Sequence, residues 1–320
     1  MPGVTAETGF WEAAGVQDVS SSVHSQRADY DATYDYDYDF SYDTWDDGED
    51  SQSSDPPSSL STVKIFSSSV DGDPHFVVQL PKLLQNLCFT VDGRANDVLR
   101  LLEDPQQGII VDGHLMGAPP RLGVEDRSRT YFDQLIISSV TGGSGDIMIT
   151  LSLDAVVVEG EGRESLPTNQ QGWVRRQGVT VTVDNHQSCW VELVKGVSFL
   201  VLFHHYKQPS YLQRAHLGFY ITDGRGLSES TQGLLGQFQH ADFSLITVKD
   251  DLQGAHPPNK QVIARGILRW SSQQMAVTLQ EKTLKDSVQK RHQAKCWLVP
   301  KAEVQTLLGH SYESYVVNQV

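Results

Sequence analysis

The chain has 320 residues, 39% of them hydrophobic and 20% charged, and a formal net charge of −15. That length admits one large or two modest domains. No 18-residue apolar run is present, so no membrane-spanning helix is expected. The acidity is local: residues 1–60 hold fourteen Asp and Glu against Arg27 alone, a net of −13, whereas the rest carries 26 acids and 24 bases.

Residues 1–60 are rich in Ser, Asp and Gly and poor in branched aliphatics. Such a segment buries too little apolar surface to offset its ordering entropy, and is expected to be disordered. Within it Tyr30, Tyr34, Tyr36, Tyr38 and Tyr42 alternate with acids. One reading is a solvated acidic linker. The other is tyrosine sulfation, which favours Tyr flanked by carboxylates and would suit a basic protein partner. The opening MPGVTAETGFWEAAG has neither a basic n-region nor an apolar h-region. Read literally, the chain stays in the cytosol; the alternative is a piece of a longer secreted chain.

From Thr62 short apolar runs alternate with turn residues, the pattern of strands. In order they are HFVVQL (75–80), LCFTV (87–91), DVLRLL (97–102), GIIVDGHLMG (108–117), TYFDQLIISSV (130–140) and DIMITLSLDAVVV (146–158). VTVTVDN (179–185) alternates strictly and predicts a half-buried strand. Residues 189–206 predict two strands about a Lys195-Gly196 turn, where Gly accepts positive φ. HLGFYITD (216–223), FSLITV (243–248), ARGILRW (264–270) and KCWLVP (295–300) follow, and only KAEVQTLLG (301–309) suggests a helix. The expected fold is all-β, a sandwich-like domain over residues 61–320 behind the acidic segment.

Asp71-Gly72-Asp73-Pro74-His75-Phe76 is the first candidate site. The nitrogen of an Asp-Pro bond belongs to a tertiary amide and leaves comparatively easily. The Asp carboxylate can attack its own backbone carbonyl and form a cyclic anhydride, which water or an alcohol then opens. His75 is the candidate proton shuttle. The plainer reading is a Gly-Asp-Pro turn entering a strand. The second candidate, Gly233-Leu234-Leu235-Gly236-Gln237-Phe238, lacks the Gly-Lys-Ser/Thr end of a phosphate loop and reads as a tight turn packed into a core.

His204 and His205 are adjacent on a strand, so they point to opposite faces and cannot share a metal; with His216, His240 and His256 they are read as structural or exposed. Gly142-Gly143-Ser144-Gly145 misses the Gly-x-Ser-x-Gly pattern by one residue. No metal site, cofactor or enzymatic activity is therefore expected. Basic residues are dispersed apart from LKDSVQKRHQAK (284–295), so no nucleic-acid partner is expected either. Cys88, Cys189 and Cys296 form no Cys-x-x-Cys pair and allow three single-bridge pairings.

The ordered set VDGDPHFVVQLP, LCFTVDG, DVLRLLEDPQQGIIVDGHLMGAPP, RTYF, HLGFYITD, GLLGQFQHADFSL, KCWLVP and GHSYESYVV, from Val70 to Val317, resembles the C-terminal region of inter-alpha-trypsin inhibitor heavy chains. GAPP, HLGFY and GLLGQFQHAD are most similar to the sixth heavy-chain type. GDPHF with a later GLxGxF also resembles a von Willebrand type D module, although Leu235 stands where that module has a cysteine and the cysteine-rich pattern is absent.

The heavy-chain resemblance implies cleavage after Asp73, with Pro74 onward a removable propeptide. It further implies esterification of the freed Asp73 α-carboxyl to chondroitin sulfate and transfer to hyaluronan in the extracellular matrix. The segment itself is expected to sit at the domain edge, so that changing Asp73 or Pro74 leaves the fold intact. It implies a Cys88–Cys296 disulfide with Cys189 free, secretion, and membership of complexes whose serine protease inhibition resides in a separate light chain, bikunin. The family's upstream domains would precede this point, which favours the longer secreted chain. The alternative function is an extracellular von Willebrand D-like binding module that is neither processed nor transferred.

Overall fold

The computed structural model describes residues 68–71, 74–80, 82–83, 85–118, 129–142, 145–194, 196–205, 214–248, 262–285 and 291–317. The acidic segment and its tyrosines 30, 34, 36, 38 and 42 lie outside them, as do Gly72, Asp73, Gly143, Ser144, Lys195 and His256.

The architecture is all-β. Three strands lead: β1 (Ser68–Asp71), β2 (His75–Leu80) and β3 (Gln85–Thr90). A six-stranded antiparallel meander comes after them, from β4 (Val98–Asp104), β5 (Ile109–Gly117) and β6 (Thr130–Thr141) to β7 (Gly145–Ser152), β8 (Ala155–Gly160) and β9 (Gly162–Pro167). A five-stranded one is next: β10 (Gly172–Arg176), β11 (Val179–Asp184), β12 (Ser188–Leu193), β13 (Val197–His204) and β14 (His216–Asp223). The last is four-stranded: β15 (Phe243–Val248), β16 (Val262–Trp270), β17 (Gln273–Lys285) and β18 (Arg291–Leu298).

The leading strands join the later meanders. On one side β1 pairs with β14; on the other β3 pairs with β18, in parallel. This gives one ladder in the order β10-β11-β12-β13-β14-β1-β2-β3-β18-β17-β16-β15. The β4–β9 meander touches it in register at Leu217 opposite Phe132.

Alternation places the apolar sets. In β11 Val179, Val181 and Val183 are buried while the threonines between them are half-exposed. Along β13 Phe199, Val201 and Phe203 join the main core; Leu200 and Leu202 form a second cluster with Tyr220 on the other face, so both faces are covered. The main core runs through both ladders, from Val70 and Phe76 through Leu135 and Val181 to Val277 and Tyr315.

The run 146–158 is two strands, broken by a turn at Leu153-Asp154. Gly196, at φ +75°, supplies the turn between β12 and β13. Residues 301–309 form a 3-10 turn, Lys301–Glu303, and a short helix α1, Val304–Leu308; Gly309 at φ +73° ends it by donating its N–H to the Gln305 carbonyl at 3.0 Å. No helix among the described residues is long and apolar enough to cross a membrane.

Candidate functional site: the turn between β1 and β2

Strands β1 and β2 are antiparallel, and Asp71 lies opposite His75. Residues 72–74 therefore lie between paired positions, and the Asp73-Pro74 bond is among them. Asp73 itself lies outside the described residues, but the two residues after it are firmly held. Pro74 is buried, and its carbonyl accepts the Val91 N–H at 3.1 Å. His75 is 3% exposed and sits opposite Thr90 on β3, with Nδ1 3.1 Å from the Thr90 hydroxyl.

The two faces of β2 are both occupied. Phe76 stacks on Phe89 at 5.0 Å between centroids, and Phe89 meets Phe238 at 5.6 Å. One strand position away, Val77 packs with Cys88, Cys296 and Leu298. Cys88 and Cys296 form a disulfide with their Cα atoms 5.9 Å apart, and Cys189 is a buried thiol whose pKa is pushed up by burial.

The expectation that this segment lies at the domain edge is overturned. β1 is an interior strand: Ser68, Ser69 and Val70 oppose Ile221, Tyr220 and Phe219 of β14 on one side, and β2 covers the other. The sequence concealed this because β1 is short and two of its four residues are serines. Those serines, 2% and 9% exposed, are buried by backbone pairing rather than by side-chain hydrophobicity.

The GLLGQF loop packs against the same strands. Its Phe238 closes the Phe76–Phe89 stack, and Gln239 reaches β1, donating its side-chain amide to Ser68 Oγ at 3.1 Å. Gln237 donates to the Tyr315 hydroxyl at 3.2 Å, and Tyr315 donates to the Leu308 carbonyl at 2.9 Å. Three motifs far apart in sequence, around Phe76, Phe238 and Tyr315, therefore meet in one place. A cleft of about 160 Å³ beside them is bordered by Thr90, Val91, Lys301, His310 and Tyr312, so the partners of Pro74 and His75 also face open space.

The loop is tied to β4 by main-chain hydrogen bonds and by Asp104. Leu234 N–H donates to the Arg100 carbonyl at 3.1 Å, and Leu235 N–H to that of Leu101 at 2.8 Å. The fully buried Asp104 carboxylate accepts the N–H groups of Gln106, Gln107 and Ser228 and the hydroxyls of Ser228 and Thr231 at 2.6–3.1 Å. Burial alone raises its pKa, but these donors outweigh it and hold the carboxyl below its ordinary range.

A depressed folded pKa gives stabilisation that is complete above the unfolded value, about 4, and lost as pH falls through the folded value. Asp104→Asn turns an acceptor into a partial donor facing donors. It should cost about 3 kcal/mol at pH 7. In urea melts that gap should narrow towards pH 2; a gap independent of pH would refute the account.

The histidines separate as adjacent strand residues must. His204 stacks on His216 across β13 and β14 at 4.5 Å, while His205 meets His186 edge-on at 5.7 Å. Burial, then the neighbouring His186, lowers the His205 pKa. His216 Nδ1 lies 2.7 Å from the Arg214 carbonyl and His240 Nε2 3.0 Å from that of Leu227. Among the described residues no three His, Cys, Asp or Glu side chains are grouped to hold a metal.

Comparison with known families adds to this geometry. Residues 106–301 match the family model for the C-terminus of the inter-alpha-trypsin inhibitor heavy chain. The chain is 42% identical over 261 residues to human inter-alpha-trypsin inhibitor heavy chain H6, covering 81% of this chain and 19% of that protein. It is 29% identical over 251 residues to bovine heavy chain H3, covering 78% and 27%, and 29% identical over 256 residues to human heavy chain H2, covering 78% and 26%. The matched part thus spans about a fifth to a quarter of each of these relatives.

Proposed function

We propose, since the chain belongs to the inter-alpha-trypsin inhibitor heavy-chain family, that it carries the processing site of a secreted heavy chain that acts in hyaluronan metabolism and matrix stabilisation. In this reading Asp73 is cleaved from Pro74 and its α-carboxyl is esterified to chondroitin sulfate, for later transfer to hyaluronan. The observation that supports it is the firm hold on Pro74 and His75, the two residues that directly follow Asp73, just beyond the Asp71–His75 pair.

Such anchoring favours the chemistry by removing freedom from one side of the reacting bond. The Asp73 carboxylate oxygen bonds to the Asp73 carbonyl carbon, the C–N bond to Pro74 breaks, and the proline nitrogen takes up a proton. His75 is the proposed proton source, since it follows the leaving residue directly. A sugar hydroxyl then adds to the α-carbonyl of the anhydride. The side-chain carboxylate leaves, and the hydroxyl proton returns to the base. The sum is an amide and an alcohol converted to an ester and an amine, with no redox change.

The test is secretion, behind a secretion leader, from cells that make chondroitin sulfate, followed by chondroitinase digestion and mass analysis of the peptide ending in Asp73. Wild type should be cleaved and carry the sugar remnant. Asp73→Asn should remain whole, because the amide is a much weaker nucleophile than the carboxylate. Pro74→Ala should also remain whole, with some loss of stability because Pro74 is buried. Sugar on the Asp73→Asn chain would refute the anhydride route. Wild type secreted intact would favour the unprocessed von Willebrand D-like binding module instead.

A further inference from the structure

Opening the bond after Asp73 would separate β1 covalently from the domain that it completes, and the role inferred for β1 rests on that proposed cleavage. β1 pairs at three positions with β14 and at four with β2. Val70 is completely buried between Phe219 and Phe76, its partners in register. Ser68 accepts the Gln239 amide. Cys88, Cys189 and Cys296 all lie downstream of Pro74, so no disulfide within the chain crosses the cut.

We infer that β14 and β2 form a strand-shaped binding slot, and that the upstream fragment stays attached to residues 74–320 through it, without a covalent bond. The ligand is an extended peptide with small polar residues where Ser68 and Ser69 stand and an apolar β-branched residue at Val70. Emptying the slot strands two rows of backbone donors and acceptors and uncovers apolar core. A peptide strand repairs both faults at once, as in other cases of strand addition to an open sheet edge. Whatever is bonded to Asp73 then travels with the downstream domain until β1 leaves.

The slot is tested apart from the natural cleavage by replacing Gly72 and Asp73 in the whole chain with a specific protease site and cutting there. The two fragments should elute together in native size-exclusion chromatography and separate in strong denaturant. A fluorescent peptide of residues 62–73 should exchange into the cut chain and be refused by the uncut one. The same peptide carrying Val70→Asp should bind at least about tenfold more weakly, because it would bury a charge. Placing that change in the peptide leaves the folding of the domain untouched. Fragments that part under native conditions, or equal uptake of both peptides, would overturn the slot. A natural chain that is never cleaved would overturn the processing reading instead and leave these results standing.

Discussion

Replacing Cys88 and Cys296 together by alanine is expected to lower stability by about 5 kcal/mol and the melting midpoint by about 10–20 °C. The bridge closes a separation of 208 residues, so on the chain-entropy view it removes a large share of the unfolded chain's freedom. It also fastens the one parallel contact of the long ladder among the described residues, β3 with β18, where Asn86, Leu87 and Cys88 find partners. Parallel pairing is the less stable kind.

Two further hydrogen bonds support that junction among the described residues. Trp297 donates its indole N–H to Gln85 at 2.6 Å, and Val299 N–H donates to the Cys88 carbonyl at 2.9 Å. Calorimetry of the double variant, and of wild type under reductant, measures the effect. A shift below about 3 °C would show that the sheet holds without the bridge. Cys189 provides an internal reporter: it is buried with its pKa pushed up, so a thiol reagent should label it only after unfolding.

Strands that the sequence displays clearly are those that carry an apolar run bounded by turn residues. His75–Leu80, His216–Asp223 and Phe243–Val248 carry the bounds read from their apolar runs. The strands it hides are those stabilised mostly by backbone pairing. β9, GRESLP, buries only Leu166 and has β8 as its one paired neighbour among the described residues. β17 carries long polar side chains around Met275 and Val277. β1 has serines where a strand interior normally shows apolar residues.

The candidate site divides in the same way. Asp-Pro is legible because its chemistry belongs to two adjacent residues. That the motifs around Phe76, Phe238 and Tyr315 meet in one place is a property of the ladder order, which no local pattern encodes. The one sequence hint was the pair of glycines in GLLGQF, whose spacing signals close backbone approach without saying to what.

Their neighbour is β4, and Gly233→Ala should be among the most damaging single changes in the domain, at about 3–5 kcal/mol. Gly233 has φ +97°, which L-residues avoid at a cost of about 1–2 kcal/mol. A Cβ there would lie 2.8 Å from the Leu101 carbonyl oxygen, 2.9 Å from its carbon and 3.0 Å from the Leu102 nitrogen. All three are backbone atoms of a strand paired to β5, and the adjoining Leu234 and Leu235 bond to the same strand, so neither side can retreat cheaply. The loop would have to lift, and Phe238 would leave the Phe76–Phe89 stack with it.

Gly196 separates the two costs. It also has positive φ, +75°, but a Cβ there meets nothing within 4 Å. Gly196→Ala should therefore lose only the conformational part, about 1 kcal/mol. The difference between the two variants in urea unfolding isolates the close approach. Equal losses would mean that the GLLGQF loop is set by backbone conformation alone, and that its packing on β4 is not what holds Phe238 against the Phe76–Phe89 stack.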